Sequence, residues 1–437
     1  MDEFFLAAIT KEIADAIVGN RVTGTHSADG ELTLEFGGRG HSLAIVLDPS
    51  SPGLYLFSTR PRKARRTAPP GYFAQQLSSK LPGSRLVSLK KVRGDRTVVA
   101  RLEREDPDES ASILNLVFFL TGRSSDVHLI DSNGSVEATA TGRTRSQTAL
   151  VNDFGFNERH SGAFDAGGEA VSSADDRREL ATTGPTIRAE IVARCGEGSV
   201  EETTRALLAE LEGPPKGLVY SRLPIEDAGR RVLNLKSDLL LSCVELLHAE
   251  GMFRYEFGSL SEAADAYYEA RKCATRFQQR LSGLKQKLAS ELKKARAALS
   301  SVEADRLRFE DPDRNKRLGD LLLANVTTAT VEDGKVTVAD YYDPDQRMVE
   351  IDLQDCKSIQ DAAALYYGLY KKGCRSLATI AARKSALETR QNNLAVLLKE
   401  LEDNASIETV DDVTTRAVEW IGKVTARAEH KSARGNE

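Results

Sequence analysis

The sequence predicts an α+β protein, with a β-rich N-terminal head, a helical middle, and a long antiparallel coiled coil that ends in a small β tip. Three observations support this prediction. Several short runs within the first 150 residues alternate apolar and polar side chains, as half-buried strands do. Two later segments carry apolar residues at heptad spacing over roughly 25 residues each. Between them, Asp333-Gly334 gives a strong signal for a tight hairpin.

The head is predicted to span residues 1–156. A first helix runs from Asp2 to Val18, because Gly19 follows it and commonly ends a helix. A second helix covers residues 73–81 and stops at Pro82-Gly83. Residues flanking the Gly94-Asp95 turn are predicted to form a β-hairpin. The predicted strands are residues 32–36, 43–47, 54–57, 86–92, 97–102, 113–120 and 127–130.

The rest of the chain divides by composition into six segments. Gly, Ser, Ala and acidic residues dominate the segment after the head, which favours a linker. Short helical patterns with polar breaks come next, followed by two long heptad segments on either side of a compact insertion. The segments are a linker at 157–183, a helical region at 184–257, a first coiled-coil arm at 258–310, a small α/β tip at 311–356, a second arm at 357–404 and a polar C-terminal tail at 405–437.

Each arm carries one apolar seam. The second seam has an unbroken heptad spacing that includes two polar residues, Lys384 and Gln391, and such positions commonly fix register at some cost in stability. The alternative is that the two seams are buried separately in a globular domain. The first seam consists of Phe277, Leu281, Leu284, Leu288, Leu292, Ala295, Leu299 and Val302; the second also includes Leu377, Ile380, Leu387, Leu394, Leu398 and Leu401.

Composition excludes several classes of protein. The chain has 437 residues, 41% hydrophobic and 29% charged, and it contains no apolar run near the ~18 residues of a membrane span. Asp2 and Glu3 stand where a signal peptide would be basic, so a cytoplasmic protein is expected. Its five cysteines are widely spaced without a C-x-x-C pair, which argues against a zinc site and a disulfide framework. No phosphate-binding Gly-rich loop, metal-binding His cluster or nucleophile elbow is found. We therefore expect no cofactor, no metal, no small-molecule substrate and no membrane partner.

Charge is distributed unevenly along the chain. The net charge is −5, yet the window from Arg60 to Arg104 contains thirteen Lys or Arg and only two acids, Asp95 and Glu103. A local positive field of this size can attract a polyanion even when the whole molecule is acidic. The alternative is that these basic residues only keep the head soluble.

Five short motifs lie along the chain in this order: MDEFFL at 1–6, VRGDRTVV at 92–99, LTGRSSD at 120–126, GPTIRAEI at 184–191 and KRLGDLLLAN at 316–325. Together they resemble the NFACT family of RqcH-like ribosome quality-control factors, which includes bacterial fibronectin-binding-protein-like members. The resemblance covers nearly the whole chain and implies that the helical region at 184–257 is helix-hairpin-helix-like. Ser124 and Asp126 depart from the family pattern, which has histidine and asparagine there.

The resemblance implies a role in the rescue of stalled ribosomes. Bacterial members of the family are expected to bind large ribosomal subunits blocked by a peptidyl-tRNA and to recruit alanyl-tRNA, so that the stalled chain grows an alanine tail. The partners implied are the large subunit with its rRNA and tRNA. Because the ribosome forms the bonds, a recruiter rather than an enzyme is implied. The family's tRNA-engaging Asp-Arg pair corresponds to Asp95 and Arg96.

Arg96 has chemistry that suits this role, because a guanidinium offers a rigid fork of donors that fits phosphate. Asp95 can orient Arg96 or accept a hydrogen bond from a base or a ribose hydroxyl. From the residues alone, Gly94-Asp95 is equally well explained as ordinary turn chemistry. Weaker candidates for phosphate contacts are Lys90, Lys91, Arg93, Arg101 and Arg123, and the run Arg60, Arg62, Lys63, Arg65 and Arg66, which is expected to form a flexible loop.

Four alternatives remain open. Family members usually carry a further C-terminal RNA-binding domain, so this chain is either a fragment or a divergent paralogue without tailing activity. The family head resembles the fold of DNA glycosylases that use an N-terminal proline, but this chain has Asp2 there. A surface adhesin, suggested by the family's older name, would require an export signal. A structural coiled-coil protein with an incidental basic head would bind RNA independently of Arg96.

Overall fold

A computed structural model describes residues 1–28, 30–38, 40–58, 71–92, 95–105, 111–142, 184–196, 198–211, 213–308, 311–327, 329–354 and 356–421. The fold is α+β, as predicted. The chain divides into two compact units, one ending at Arg276 and the other beginning at Phe277. The predicted linker at 157–183 and residues 422–437 of the predicted tail lie outside the described residues.

Two antiparallel meanders form the β part of the head. One is a four-stranded sheet of order β1–β2–β3–β4, and the other is a five-stranded sheet of order β5–β6–β7–β8–β9. Strands β1 and β9 were not predicted. The bounds are β1 Val22–Ala28, β2 Glu31–Phe36, β3 His41–Val46, β4 Gly53–Ser58, β5 Arg85–Lys91, β6 Thr97–Glu105, β7 Ala111–Phe119, β8 Asp126–Ile130 and β9 Val136–Thr139.

Helix α1 (Glu3–Ile17) forms where the sequence predicts it, because Asp2 caps it by accepting a hydrogen bond from the Phe5 amide at 2.8 Å. Its apolar side chains at three- and four-residue spacing are buried against the sheets. Helix α2 (Tyr72–Lys80) contacts β1 and β9. One apolar core therefore joins both helices to both sheets.

Residues 184–257 differ from the predicted helical region. Helices α3 (Pro185–Cys195) and α4 (Val200–Leu211) form, but a three-stranded sheet of order β11–β10–β12 follows them. The helical prediction was therefore wrong beyond Leu211. Apolar runs of three or four residues suit a strand as well as a helix, and only pairing between distant strands decides between them. The strands are β10 Gly217–Ser221, β11 Leu239–Ser242 and β12 Phe253–Phe257.

Two long helices account for the heptad seams. Helix α5 (Leu260–Arg308) begins in the first unit, where Glu12 accepts hydrogen bonds from the Leu260 and Ser261 amides at 2.8 and 2.9 Å. Helix α7 (Ile359–Asp403) runs antiparallel to α5 in the second unit. This direction is shown by two ion pairs, Lys384–Glu303 at 3.0 Å and Arg390–Glu291 at 2.8 Å.

Side chains of both seams share one apolar cluster with helix α8 (Ile407–Ile421). Val410, Val413 and Ala417 of α8 are buried, so this part of the predicted polar tail carries an apolar face. The buried members from the two long helices are Phe277, Leu281, Leu284, Leu288, Leu292, Leu394, Leu397 and Leu401. The division into two coiled-coil arms and a tip remains a prediction.

The small insertion contains helix α6 (Pro312–Ala324) and strands β13 (Thr330–Glu332), β14 (Lys335–Ala339) and β15 (Met348–Asp352). The predicted hairpin is confirmed. Asp333 and Gly334 connect β13 to β14 with φ angles of 47° and 76°, the left-handed values that a two-residue hairpin loop requires.

Candidate nucleic-acid interface

Asp95 and Arg96 lie in the connection between β5 and β6, as the sequence predicts. The Val92 amide donates to the Thr97 carbonyl at 2.8 Å and closes the hairpin. The Thr97 hydroxyl donates to Oδ2 of Asp95 at 3.0 Å and fixes the carboxylate. The other oxygen, Oδ1, accepts no hydrogen bond from the part of the chain that the structure describes. Asp95 can therefore accept a hydrogen bond from a ligand.

Arg96 is half-buried, and its guanidinium forms no ion pair with any described residue. Its charge reaches the buried carboxyl of Asp2. Burial raises the pKa of Asp2, and the nearby Arg96 and the Phe5 amide offset this only in part. The guanidinium therefore lies near enough to the start of α1 for its charge to act on Asp2.

The backbone of Arg96 joins two of the motifs that resemble the family, residues 92–99 and 120–126. Its carbonyl accepts a hydrogen bond from the Leu120 amide at 2.8 Å, because β6 pairs with β7. The chain after Leu120 turns through a short 3-10 helix, Gly122–Ser124, in which Gly122 has a φ of 66° and Arg123 is exposed. Arg96 and Arg123, far apart in sequence, therefore lie at the same end of the five-stranded sheet.

Asp126, which departs from the family pattern, supports this end of the sheet from inside. It accepts hydrogen bonds from the Val127 and Thr141 amides and the Thr141 hydroxyl, at 2.8, 3.0 and 2.6 Å, and its Oδ2 lies 3.3 Å from Nε2 of buried His128. Burial alone would raise the pKa of Asp126, but these hydrogen bonds outweigh burial and lower it. His128 was not singled out in the sequence; its position two residues along the same strand face is the signal that could have found it.

The weaker candidates are placed differently from one another. Lys91 pairs with Glu3 at 2.8 Å, and only 9% of its side chain is exposed, so the pair occupies its ammonium group. Lys90 and Arg101 are exposed on the same sheet. The other weaker candidates, Arg93, Arg60, Arg62, Lys63, Arg65 and Arg66, lie outside the described residues.

Among the residues that the structure describes, no group of His, Cys, Asp and Glu side chains is arranged to hold a metal ion. Within the same residues, no helix is both long and apolar enough to cross a membrane.

The chain is similar to several proteins of known sequence or structure. "Rqc2 homolog RqcH" of Bacillus subtilis (strain 168) is 22% identical over 394 residues, which covers 87% of this chain and 68% of the relative. Two solved structures are similar at 15% identity: the fibrinogen binding protein from Staphylococcus aureus (TM-score 0.43, 61% of this chain and 99% of that one) and the N-terminal part of the fibronectin/fibrinogen-binding protein from Streptococcus suis (TM-score 0.42, 62% and 99%).

The family model of the NFACT N-terminal and middle domains matches residues 2–150 and 178–431, most of the chain. The chain belongs to the NFACT family of RqcH-like ribosome quality-control factors.

Proposed function

We propose that this protein binds large ribosomal subunits obstructed by a peptidyl-tRNA and engages a tRNA through Asp95 and Arg96. The hydrogen bond between the Leu120 amide and the Arg96 carbonyl carries the proposal, because the strand pairing brings Arg96 and Arg123 to the same end of the five-stranded sheet. We expect these two cations and one carboxylate oxygen of Asp95 to contact the same ligand.

The chemistry of the site suits RNA. The Arg96 guanidinium can donate two parallel hydrogen bonds to a phosphate, which fixes the orientation of the ligand as well as binding it. Asp95, held by Thr97, can accept from a ribose 2′-hydroxyl, the group that distinguishes RNA from DNA. Exposed Arg123, Lys90 and Arg101 add salt-dependent attraction to the phosphate backbone.

We further propose that the recruited tRNA is alanyl-tRNA. Its recruitment would let the ribosome extend the stalled chain with alanine, and this protein would contribute binding rather than bond formation. The relationship with RqcH supports this extension. A cytoplasmic location follows from the same proposal, since obstructed subunits and tRNA are found there.

Sedimentation with obstructed large subunits, and separately with free tRNA, tests the proposal. Wild type is compared at two salt concentrations with an Asp95→Ala/Arg96→Ala double variant and with Arg231→Ala, an exposed arginine of the same unit outside the site. We expect salt-sensitive binding of wild type to both partners. The double variant should bind tRNA at least about tenfold more weakly, because loss of a charge-assisted bidentate contact costs about 1.5–3 kcal/mol.

Arg231→Ala should bind tRNA like wild type. Equal tRNA binding by wild type and the double variant would contradict the assignment of the site and favour a structural protein with an incidental basic head. Subunit binding without any tRNA binding by wild type would contradict recruitment and indicate a paralogue that docks without supporting tailing.

A further inference from the structure

The second unit contains a basic cleft that the proposed tRNA contact does not use. The cleft has a volume of about 660 Å³ and lies between α5 and α7. It is lined by Asp305 of α5 and by Gly368, Lys371, Lys372, Arg375 and Ser376 of α7. Three cations and one acid leave a net positive charge in this space.

The cations of the cleft differ from others on the same helix. Further along α7, Lys384 pairs with Glu303 and Arg390 pairs with Glu291. Lys371, Lys372 and Arg375 are exposed, and none forms an ion pair with an acid in the described ranges. Unpaired cations at one cleft are the usual requirement for binding an anion.

The spacing of these three cations destabilises helix α7. Lys371 and Arg375 are four residues apart, and Lys372 and Arg375 are three apart, so like charges are neighbours on one helical face. Such pairs destabilise a helix, and a bound anion removes the repulsion. One helical turn rises about 5.4 Å, a step comparable with the distance between neighbouring phosphates in a strand.

Gly368 opens the cleft. A glycine inside a helix is unfavourable relative to alanine, yet a Cβ at this position would meet nothing within 4 Å. The absence of a side chain therefore leaves room for a ligand to approach the backbone of α7. Since the cations of the cleft are exposed and the cleft is far larger than a single phosphate, it suits a strand that passes across the surface.

We infer that this cleft is a second nucleic-acid contact, which binds the phosphodiester backbone of an RNA through Lys371, Lys372 and Arg375. The binding of linked phosphates in this cleft does not depend on Asp95 and Arg96. The identification of the bound strand as RNA rests on the proposed function.

Fluorescence anisotropy with a labelled short single-stranded RNA tests the inference on the full chain. The cleft variant is Lys371→Ala/Lys372→Ala/Arg375→Ala, and the control is Lys399→Ala, an exposed lysine elsewhere on α7. Both are made with the wild-type head and with the Asp95→Ala/Arg96→Ala head. A loss of RNA affinity that appears with both heads is caused by the cleft substitutions. Such a loss is therefore distinguished from a failure of the proposed tRNA site.

We expect the cleft variant to bind RNA roughly tenfold more weakly than the control, and the slope of log affinity against log salt to become shallower by about 2, close to 0.7 per lost phosphate contact. Gly368→Leu should weaken binding as well, although it changes no charge, because its side chain would take up space in the cleft; the added Cβ itself would meet nothing within 4 Å. Inorganic tripolyphosphate should displace RNA from the control more readily than from the cleft variant.

Equal RNA affinity of the cleft variant and the control would overturn the inference. It would also be overturned by a Gly368→Leu variant that binds like wild type, since the cations would then act at a distance rather than in the cleft. Competition by tripolyphosphate, without a difference in RNA affinity between cleft variant and control, would mean that only small anions bind there.

Discussion

The buried carboxylate of Glu190 in α3 is kept charged by its hydrogen bonds. It is fully buried and accepts hydrogen bonds from the Leu247 and His248 amides at 2.9 and 3.2 Å, from Arg194, and from the His248 ring at 2.7 Å. Burial alone would raise the pKa of Glu190, but these donors outweigh burial and hold the pKa below its ordinary value. One side chain thus joins α3 to the segment after β11.

Replacing Glu190 with Gln should lower the free energy of unfolding by about 2–4 kcal/mol, because a buried charge network loses its central partner. Urea denaturation followed by circular dichroism measures the change. Glu201→Gln, at an exposed position in α4, should change stability by no more than about 0.5 kcal/mol. Equal effects of the two substitutions would show that the network does not stabilise the fold.

The lowered pKa of Glu190 predicts that the free energy of unfolding depends on pH. The folded pKa of Glu190 lies below the unfolded value, so its stabilisation is complete above the unfolded pKa and is lost as pH falls through the folded pKa. Wild type should therefore lose more unfolding free energy between pH 5 and pH 3 than Glu190→Gln does. Urea denaturation at the two pH values gives both numbers, and parallel losses would contradict the assignment.

At the scale of elements, the two long helices depend on a narrow set of buried positions. Leu394 of α7 is fully buried in the cluster with α5 and α8, whereas Val396, two residues along the same helix, is 54% exposed. The polar seam residue Lys384 keeps its place by pairing with Glu303 across to α5. The helix is thus stabilised by its inward face rather than by its overall composition.

Leu394→Ala should destabilise the second unit by about 2–5 kcal/mol, since it removes apolar contacts and leaves a cavity. Thermal unfolding monitored by the helical signal measures the effect. Val396→Ala is the matched control, and a change of no more than about 0.5 kcal/mol is expected. Comparable losses at both positions would mean that the seam is not the stabilising face.

At the scale of the whole molecule, the uneven charge predicts how binding responds to salt. The chain has a net charge of −5, but the window from Arg60 to Arg104 is strongly basic, and Arg96 and Arg123 lie together at one end of a sheet. Local cations, rather than net charge, set the attraction of a phosphate backbone. An acidic protein can therefore bind RNA.

If roughly four phosphates are contacted, tRNA affinity should fall about 100-fold between 50 and 200 mM salt. Filter binding across a salt series measures the slope. An affinity that does not change with salt would indicate that the basic residues serve only solubility. Substituting Lys91 should change this slope less than substituting Arg123, because Lys91 is already paired with Glu3.

Local signals in the sequence were enough for elements that depend on neighbouring residues. The cap at Asp2 and the apolar spacing after it specify α1, and Asp333-Gly334 specifies a hairpin. The Gly94-Asp95 signal likewise put Asp95 and Arg96 between two paired strands. In each case, the preferred backbone angles and the hydrophobic period agree over a short stretch.

Distant contacts decided the rest. Pairing of β6 with β7 brings Leu120 to Arg96, and pairing of Glu3 with Lys91 occupies a candidate cation. Sheet formation makes strands of three short segments within residues 217–257. The cleft at Lys371 exists only because α5 and α7 lie side by side. By itself the sequence determined the fold class, the family motifs and the Gly94-Asp95 turn signal, because these depend on local preference and pattern. Only the tertiary structure decided which charges are paired and which remain available, because that depends on which distant residues share a surface.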